Sequence, residues 1–375
     1  MKKKRVAVSV INDLVTDQRV HRTCMLLTSM GFDVVLIGRK KKKSPDLEPR
    51  TYKTLRLKLI FETGVLFYAC FNIRLFFKLI FKRFDAYFSN DLDTLLPNFL
   101  VARIKRKPII YDAHEYFTGV PELTGRPIVQ RTWKCIERWM LPKIMHMATV
   151  NRSIASLYHD EYGVSPVVVR NVPEKPGVVS AWPTRESLGL PSDRKMLILQ
   201  GAGINIQRGA EEAVEAMAFT DGILLLIVGD GDVVGLLKER VAALHIDDTV
   251  RFIPRVPMQL LRGYTRLADG GLTLDKDTNI NYRYSLPNKL FDYIQAGIPV
   301  LASDLPEIRN IVEGYGIGLI ADSHDPELLA EKMQQLLFDD RLRADWKENL
   351  DRAAVELCWE NEQENLKELI QKAFL

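Results

Sequence analysis

Lys289 and Asp292 lie three positions apart in the stretch from Tyr284 to Ser303, YSLPNKLFDYIQAGIPVLAS. The sequence predicts a polar loop (Tyr284 to Asn288), a short amphipathic helix over Lys289–Ala296 that Gly297 ends, and a buried strand over Pro299–Ala302. A loop feeding a helix N-terminus offers free backbone N–H groups and the positive end of the dipole, where a phosphate prefers to sit. Lys289 adds a full charge in the first turn. Asp292 shares its face of the helix and can accept a hydrogen bond from a sugar hydroxyl. A phosphate at one end and a ribose one turn along describe a nucleotide site. The same spacing also suits an ordinary amphipathic helix with a solvated Lys and Asp, and on spacing alone both readings stay open.

A second candidate is GAGINIQRG, Gly201 to Gly209, which follows an apolar run and opens the helix AEEAVEA. Glycines such as Gly203 and Gly209 let a backbone approach a ligand, and Arg208 can fork onto phosphate oxygens. It is neither a dinucleotide GxGxxG nor a loop ending in GK[ST]. Alone it reads equally as a glycine-rich strand–helix turn; paired with Lys289 it becomes a two-cation diphosphate clamp. Asp112-Ala113-His114-Glu115 follows another strand. His114 there can donate to a sugar hydroxyl or to developing charge, oriented by Asp112 or Glu115, or serve as a structural hydrogen-bonding residue. Asp17 can cap the helix after the first strand, and Arg19 can meet a substrate anion. No glycine stands in that turn, which argues against a nicotinamide or flavin enzyme. Asp91-Leu92-Asp93 resembles a metal-binding DxD, but Asp91 reads more simply as an N-cap. No metal or other cofactor is expected.

Residues 1–150 hold 28 Lys/Arg against 13 Asp/Glu, leaving 24 and 35 of the totals of 52 and 48 for the rest. The small net charge of +4 therefore joins a basic half to an acidic one. A basic half implies an anionic partner, membrane or nucleic acid. Its densest apolar-basic segment is 55–84, where Arg56 and Lys58 alternate with leucines and Arg74, Lys78 and Lys82 recur every four residues among Phe, Leu and Ile. The uncharged run Thr63–Ile73 is too short to span a bilayer. The pattern fits a basic amphipathic helix lying on anionic lipid, or a core helix with one solvated basic edge; the run Arg39–Lys43 and the charge balance favour lipid. Aromatic and basic residues here follow helix periodicity, and no nucleic-acid-reading motif appears, so no nucleic-acid partner is expected. The apolar run after the N-terminal lysines is short for a signal peptide and reads as a first strand.

These residues need elements to hold them. Short apolar strands alternate with helices up to Val169, as in a doubly wound parallel sheet. A Pro-rich irregular stretch follows to about Ser192. The alternation then restarts and runs to Asp339, ahead of an amphipathic helix over Trp359–Leu375. The expected fold class is α/β, with two Rossmann-like domains facing across a cleft. Residues 1–180 form an acceptor-side domain, 181–358 a nucleotide-sugar domain, and 359–375 a helix crossing back to the first. Four scattered cysteines without a CxxC suit a reducing cytosol.

The SLPNKLFDYIQAGIPVLAS segment, the Arg208-Gly209 helix start, the DAHE turn and the VRNVP boundary together resemble retaining glycosyltransferases of family four, the group 1 type, which have the GT-B fold. The resemblance covers essentially the whole chain. It implies transfer of a sugar from a nucleotide-sugar donor to a saccharide or lipid-linked acceptor. Arg208 and Lys289 would hold the diphosphate, Asp292 the ribose, and His114 the donor sugar. Gly203, Gly209, Tyr284, Ser285, Leu286 and Asn288 complete the donor side, and Asp17, Arg19, Asp112 and Glu115 line the acceptor side. Arg56, Lys58, Arg74, Lys78 and Lys82 would face an anionic membrane, placing the enzyme in the cytoplasm on the inner face of the membrane. Tyr284 stands where the family carries the first glutamate of its E-x7-E motif, and the Gly-Gly loop of many members is absent. A GT-B epimerase and a non-catalytic anion-binding protein are the alternatives.

Overall fold

The computed structural model describes residues 3–15, 17–42, 44–123, 125–177 and 181–374. The chain divides into two compact units, Met1–Asn171 with Glu362–Leu375, and Val172–Asn361.

The first unit runs β1 (Arg5–Asp13), α1 (Gln18–Ser29), β2 (Asp33–Lys40), β3 (Lys53–Lys58), α2 (Gly64–Phe81), β4 (Ala86–Asn90), α3 (Leu92–Lys105), β5 (Ile109–Ala113), α4 (Pro127–Met140), β6 (His146–Thr149), α5 (Arg152–Tyr162) and β7 (Val167–Val168). Its parallel sheet has the order β3-β2-β1-β4-β5-β6-β7. The middle strands are buried on both faces by helices, β4 throughout and β1 from Val6 to Ile11, so they have no solvent side to alternate with.

The second unit repeats the plan with β8 (Lys195–Gly201), α6 (Ala210–Ala216), β9 (Ile223–Gly229), α7 (Val234–Leu244), β10 (Val250–Ile253), α8 (Met258–Leu267), β11 (Gly270–Thr273), α9 (Ile280–Arg283), α10 (Asn288–Ala296), β12 (Val300–Ser303), α11 (Pro306–Tyr315), β13 (Gly318–Ala321), α12 (Pro326–Phe338) and α13 (Asp340–Glu356). Its sheet order is β10-β9-β8-β11-β12-β13, again parallel. The order reverses direction at β8/β11, the switch point beside which ligands bind in open α/β sheets.

The last helix, α14 (Trp359–Phe374), belongs to the first unit from Glu362 onward. There Glu362 takes three hydrogen bonds from Arg170, at 2.7, 2.8 and 3.0 Å, and Phe374 meets Phe32 edge-on. One long element is absent from the sequence expectations. The 17-residue α13 buries only Trp346, Leu350 and Ala353, so its apolar stripe is too thin to stand out against its charges.

α2 shows why its sequence admits two readings. Phe67, Phe71, Leu75 and Leu79 join the core beneath it, with Ala7, Val35 and Tyr87. Val65, Leu66, Ile73, Phe77 and Phe81 are 51–81% exposed, so the outer face is apolar as well as basic. The helix matches a membrane span in length and composition, yet its core row fastens it to the sheet. A core helix with one solvated basic edge does not describe it.

Candidate active site

The carboxyl ends of β8 and β11 bring together residues far apart in the chain. Gly209 sits at φ +73, and a Cβ there would lie 2.2 Å from the carbonyl oxygen of Leu274. Only glycine lets the chain before α6 pass this close to the end of β11. That approach carries Arg208 onto Asp275, with Nη1 3.5 Å from Oδ1. The guanidinium also lies over the Tyr282 ring at 4.8 Å. Lys289, in the first turn of α10, lies within Coulombic reach of the same carboxylate. Burial lowers its pKa, Arg208 lowers it further, and Asp275 opposes both.

α10 begins after Pro287 without a side-chain cap, so its leading amides remain for a ligand. Ser285 Oγ, Arg208 Nε and both Asp275 oxygens are buried without a hydrogen-bond partner among the described residues. Arg208 and Asp275 stand 3.5 Å apart, and buried polar atoms left unpaired there mark a place built for a polar guest. Asp275 is the residue the sequence reading missed. An acid directly after a predicted parallel strand was the signal for it.

One turn along α10, Asp292 accepts a 3.1 Å hydrogen bond from Gln200 Nε2, and Gln200 Oε1 accepts a 2.6 Å bond from Thr265. Gln200 and Thr265 are buried, so this relay from α8 through β8 fixes the Asp292 carboxylate at the wall of a pocket. Met258, Leu261 and Trp182 give that pocket its apolar lining. The expected donor residues Gly203, Tyr284 and Leu286 belong to the two loops that lead into α6 and α10, and Asn288 is the first residue of α10. The structure thus brings Arg208 and Lys289 around Asp275, with Asp292 on the same helix as Lys289.

The first unit has its own charged centre. His114 lies between two carboxylates, with Nδ1 3.3 Å from Asp91 and Nε2 3.4 Å from Asp112. Burial opposes its charge, but Asp91 and Asp112 prevail and hold its pKa up at about 9. At neutral pH it is a cation that donates, not a base.

Three expectations are corrected here. Asp91 does not cap α3 with its side chain; the carboxylate accepts from the His114 backbone N–H at 2.9 Å. Its φ of 58° and ψ of 163° strain the backbone to aim it there. Arg19 does not reach out to a substrate anion. It is buried on Asp112 through two hydrogen bonds of 2.7 and 2.9 Å, with a third to the carbonyl of Val169. The orientation of His114 is corrected as well, since Asp91 shares it with Asp112, while the Glu115 side chain is exposed. Asp17 caps α1, accepting from the Val20 N–H at 3.1 Å.

The membrane set also divides. Arg56 is only 11% exposed and pairs with Asp13 at 2.8 Å, so it is withdrawn from the surface. Lys58, Arg74 and Lys78 are exposed, and Lys82 is half-buried.

Comparison with known proteins decides the family. The model "Glycosyl transferases group 1" matches residues 180–352, and the model "Glycosyltransferase Family 4" matches residues 17–173. The chain belongs to the group 1 glycosyltransferases of family four. Among relatives, a D-inositol 3-phosphate glycosyltransferase of Thermobispora bispora is 28% identical over 218 residues, covering 54% of this chain and 49% of its own. One from Streptosporangium roseum is 25% identical over 215 residues, covering 52% and 47%. The chain spans about half the length of these relatives. Two solved structures share its fold over 99% and 98% of this chain. Sucrose-phosphate synthase of Thermosynechococcus elongatus has a TM-score of 0.78 at 18% identity, covering 99% of that chain. HepE of Anabaena, solved with UDP and glucose, has 0.76 at 12%, covering 100% of that chain. This group 1 glycosyltransferase therefore has the GT-B fold, with the Arg208–Asp275–Lys289 corner in its second domain.

Proposed function

We propose that this glycosyltransferase moves a sugar from a nucleotide-sugar donor, with retention, to a lipid-linked or polysaccharide acceptor in bacterial cell-surface glycan synthesis. The placing of Arg208 on Asp275 and of Lys289 within Coulombic reach of both, one turn from Asp292, carries this reading. Two cations and the amides of α10 take the diphosphate, and the Asp292 carboxylate takes the ribose. As the glycosidic bond breaks, negative charge grows on the leaving diphosphate, where preorganised cations lower the barrier most. No protein nucleophile is needed, because the leaving phosphate helps deprotonate the acceptor on the same face. His114, as a cation 18% exposed, is suited to a donor-sugar hydroxyl. Its ring contacts of 3.3–3.4 Å are long enough to exchange for a ligand oxygen. A thermal-shift panel of UDP-, GDP-, ADP- and CMP-sugars tests the reading. One of them should raise the melting temperature, and no response to any would overturn it.

The outer face of α2 favours an acceptor presented at a membrane. Leu66, Ile73, Phe77 and Phe81 protrude beside Arg74 and Lys78, which matches an anionic headgroup layer above acyl chains. The enzyme would then work in the cytoplasm, held on the inner face of the membrane. Vesicles containing phosphatidylglycerol should sediment the wild type, and salt or F77S/F81S should release it. Equal sedimentation with neutral vesicles, or indifference to salt, would sink this part.

A further inference from the structure

We propose that Asp275 is a positioning residue whose buried carboxylate holds the Arg208 and Lys289 cations converged on one diphosphate subsite. This role rests on the donor reading above and names the device that makes the clamp work. Asp275 is fully buried, and neither oxygen has a hydrogen-bond partner among the described residues. A carboxylate so placed is costly to keep unless the charges around it repay its desolvation. Arg208 stands 3.5 Å away with its guanidinium over the Tyr282 ring, and Lys289 at the start of α10 is within Coulombic reach of Asp275.

Without an anion between them, two cations aimed at the same point repel each other. The long, flexible lysine then swings away or sheds its proton. The groups that set the charge on Lys289 are Asp275 from the end of β11 and Arg208 from the loop before α6, with Asp292 one turn further along α10. One buried carboxylate against two cations leaves one net positive charge. The site is thus attractive to a diphosphate before it arrives.

Removing the carboxylate changes the pH at which the clamp fails. Binding of UDP, GDP, ADP and CDP would be measured calorimetrically from pH 6.5 to 10, and the tightest taken as probe. In the wild type, affinity falls on the alkaline side as Lys289 loses its proton. D275N keeps the volume and removes the charge, so the midpoint of that fall should drop by about one pH unit or more. D275E, which restores the charge, should return it. K289R cannot deprotonate in this range and should show no alkaline fall at all, a result that does not depend on D275N folding. An unmoved midpoint in D275N, or an alkaline fall retained in K289R, overturns the role alone. Binding of none of the four nucleotides overturns the donor reading and this role with it.

Discussion

Arg208→Ala and Lys289→Ala are each expected to lower turnover by about 100-fold or more, the usual loss when a preorganised charge-stabilising group is removed. The effect should fall mainly on kcat. Ground-state diphosphate already carries most of its charge, but the bond to the sugar adds more only as it breaks. Arg208 offers a planar fork braced between Asp275 and the Tyr282 ring, so Arg208→Lys should recover little. Lys289 is a point charge at an uncapped helix start, where Lys289→Arg should recover more. The double alanine variant should cost less than the product of the singles, because both cations serve one leaving group. Steady-state kinetics with the donor found by thermal shift would measure this. Near-wild-type transfer and donor hydrolysis by both single variants would remove these residues from the chemistry.

The fold is legible in this sequence because parallel strands buried on both faces leave unbroken apolar runs, and those of β1, β8 and β9 are unmistakable. α13 is not, since three buried positions among many charges give no clear stripe. The donor corner is legible where chemistry is local. Lys289 and Asp292 announce themselves by helical spacing, and Arg208 by its glycine neighbours. Asp275 is hidden because its role depends on Gly209 letting the chain pass against Leu274, 65 residues away in sequence, a contact that no short motif records. Charge alone misleads at Arg19 and Arg56, where an arginine in a basic half proves to be the partner of an aspartate, fully buried at Arg19 and largely so at Arg56. Asp91 misleads through its place, since a residue ahead of a helix reads as a cap unless its strained φ is known.

Asp112→Asn is expected to cost the first domain about 3–5 kcal/mol, because it leaves the Arg19 guanidinium buried without its counter-charge. Burial opposes the Asp112 charge, but Arg19 and His114 together hold its pKa well below the usual carboxylate range. A depressed acid contributes stability that is present above its unfolded pKa and disappears only in strong acid. The penalty from losing the Arg19 pair should therefore persist across pH 5 to 8. His114 adds a second signature of opposite slope. Its raised pKa contributes stability that is full below its ordinary value and is lost as pH rises toward about 9. Asp112 is one of two carboxylates behind that shift, so the variant should lose stability less steeply than wild type between pH 6.5 and 9. The gap between the two proteins then narrows at alkaline pH. Denaturant unfolding of the first domain at pH 6 and pH 9 would show both effects. Equal midpoints at pH 6 would mean that Arg19 finds another partner, and a gap constant with pH would mean that His114 draws its charge from Asp91 alone. R19M/D112L offers the complementary test. Replacing both buried ions by apolar groups of similar size should restore most of the lost stability, because no charge is then left unpaired. Asp91 would still hold one nitrogen of His114, so the double variant should fold firmly yet keep a lowered imidazole pKa, separating what the ion pair does for the fold from what Asp112 does for the histidine.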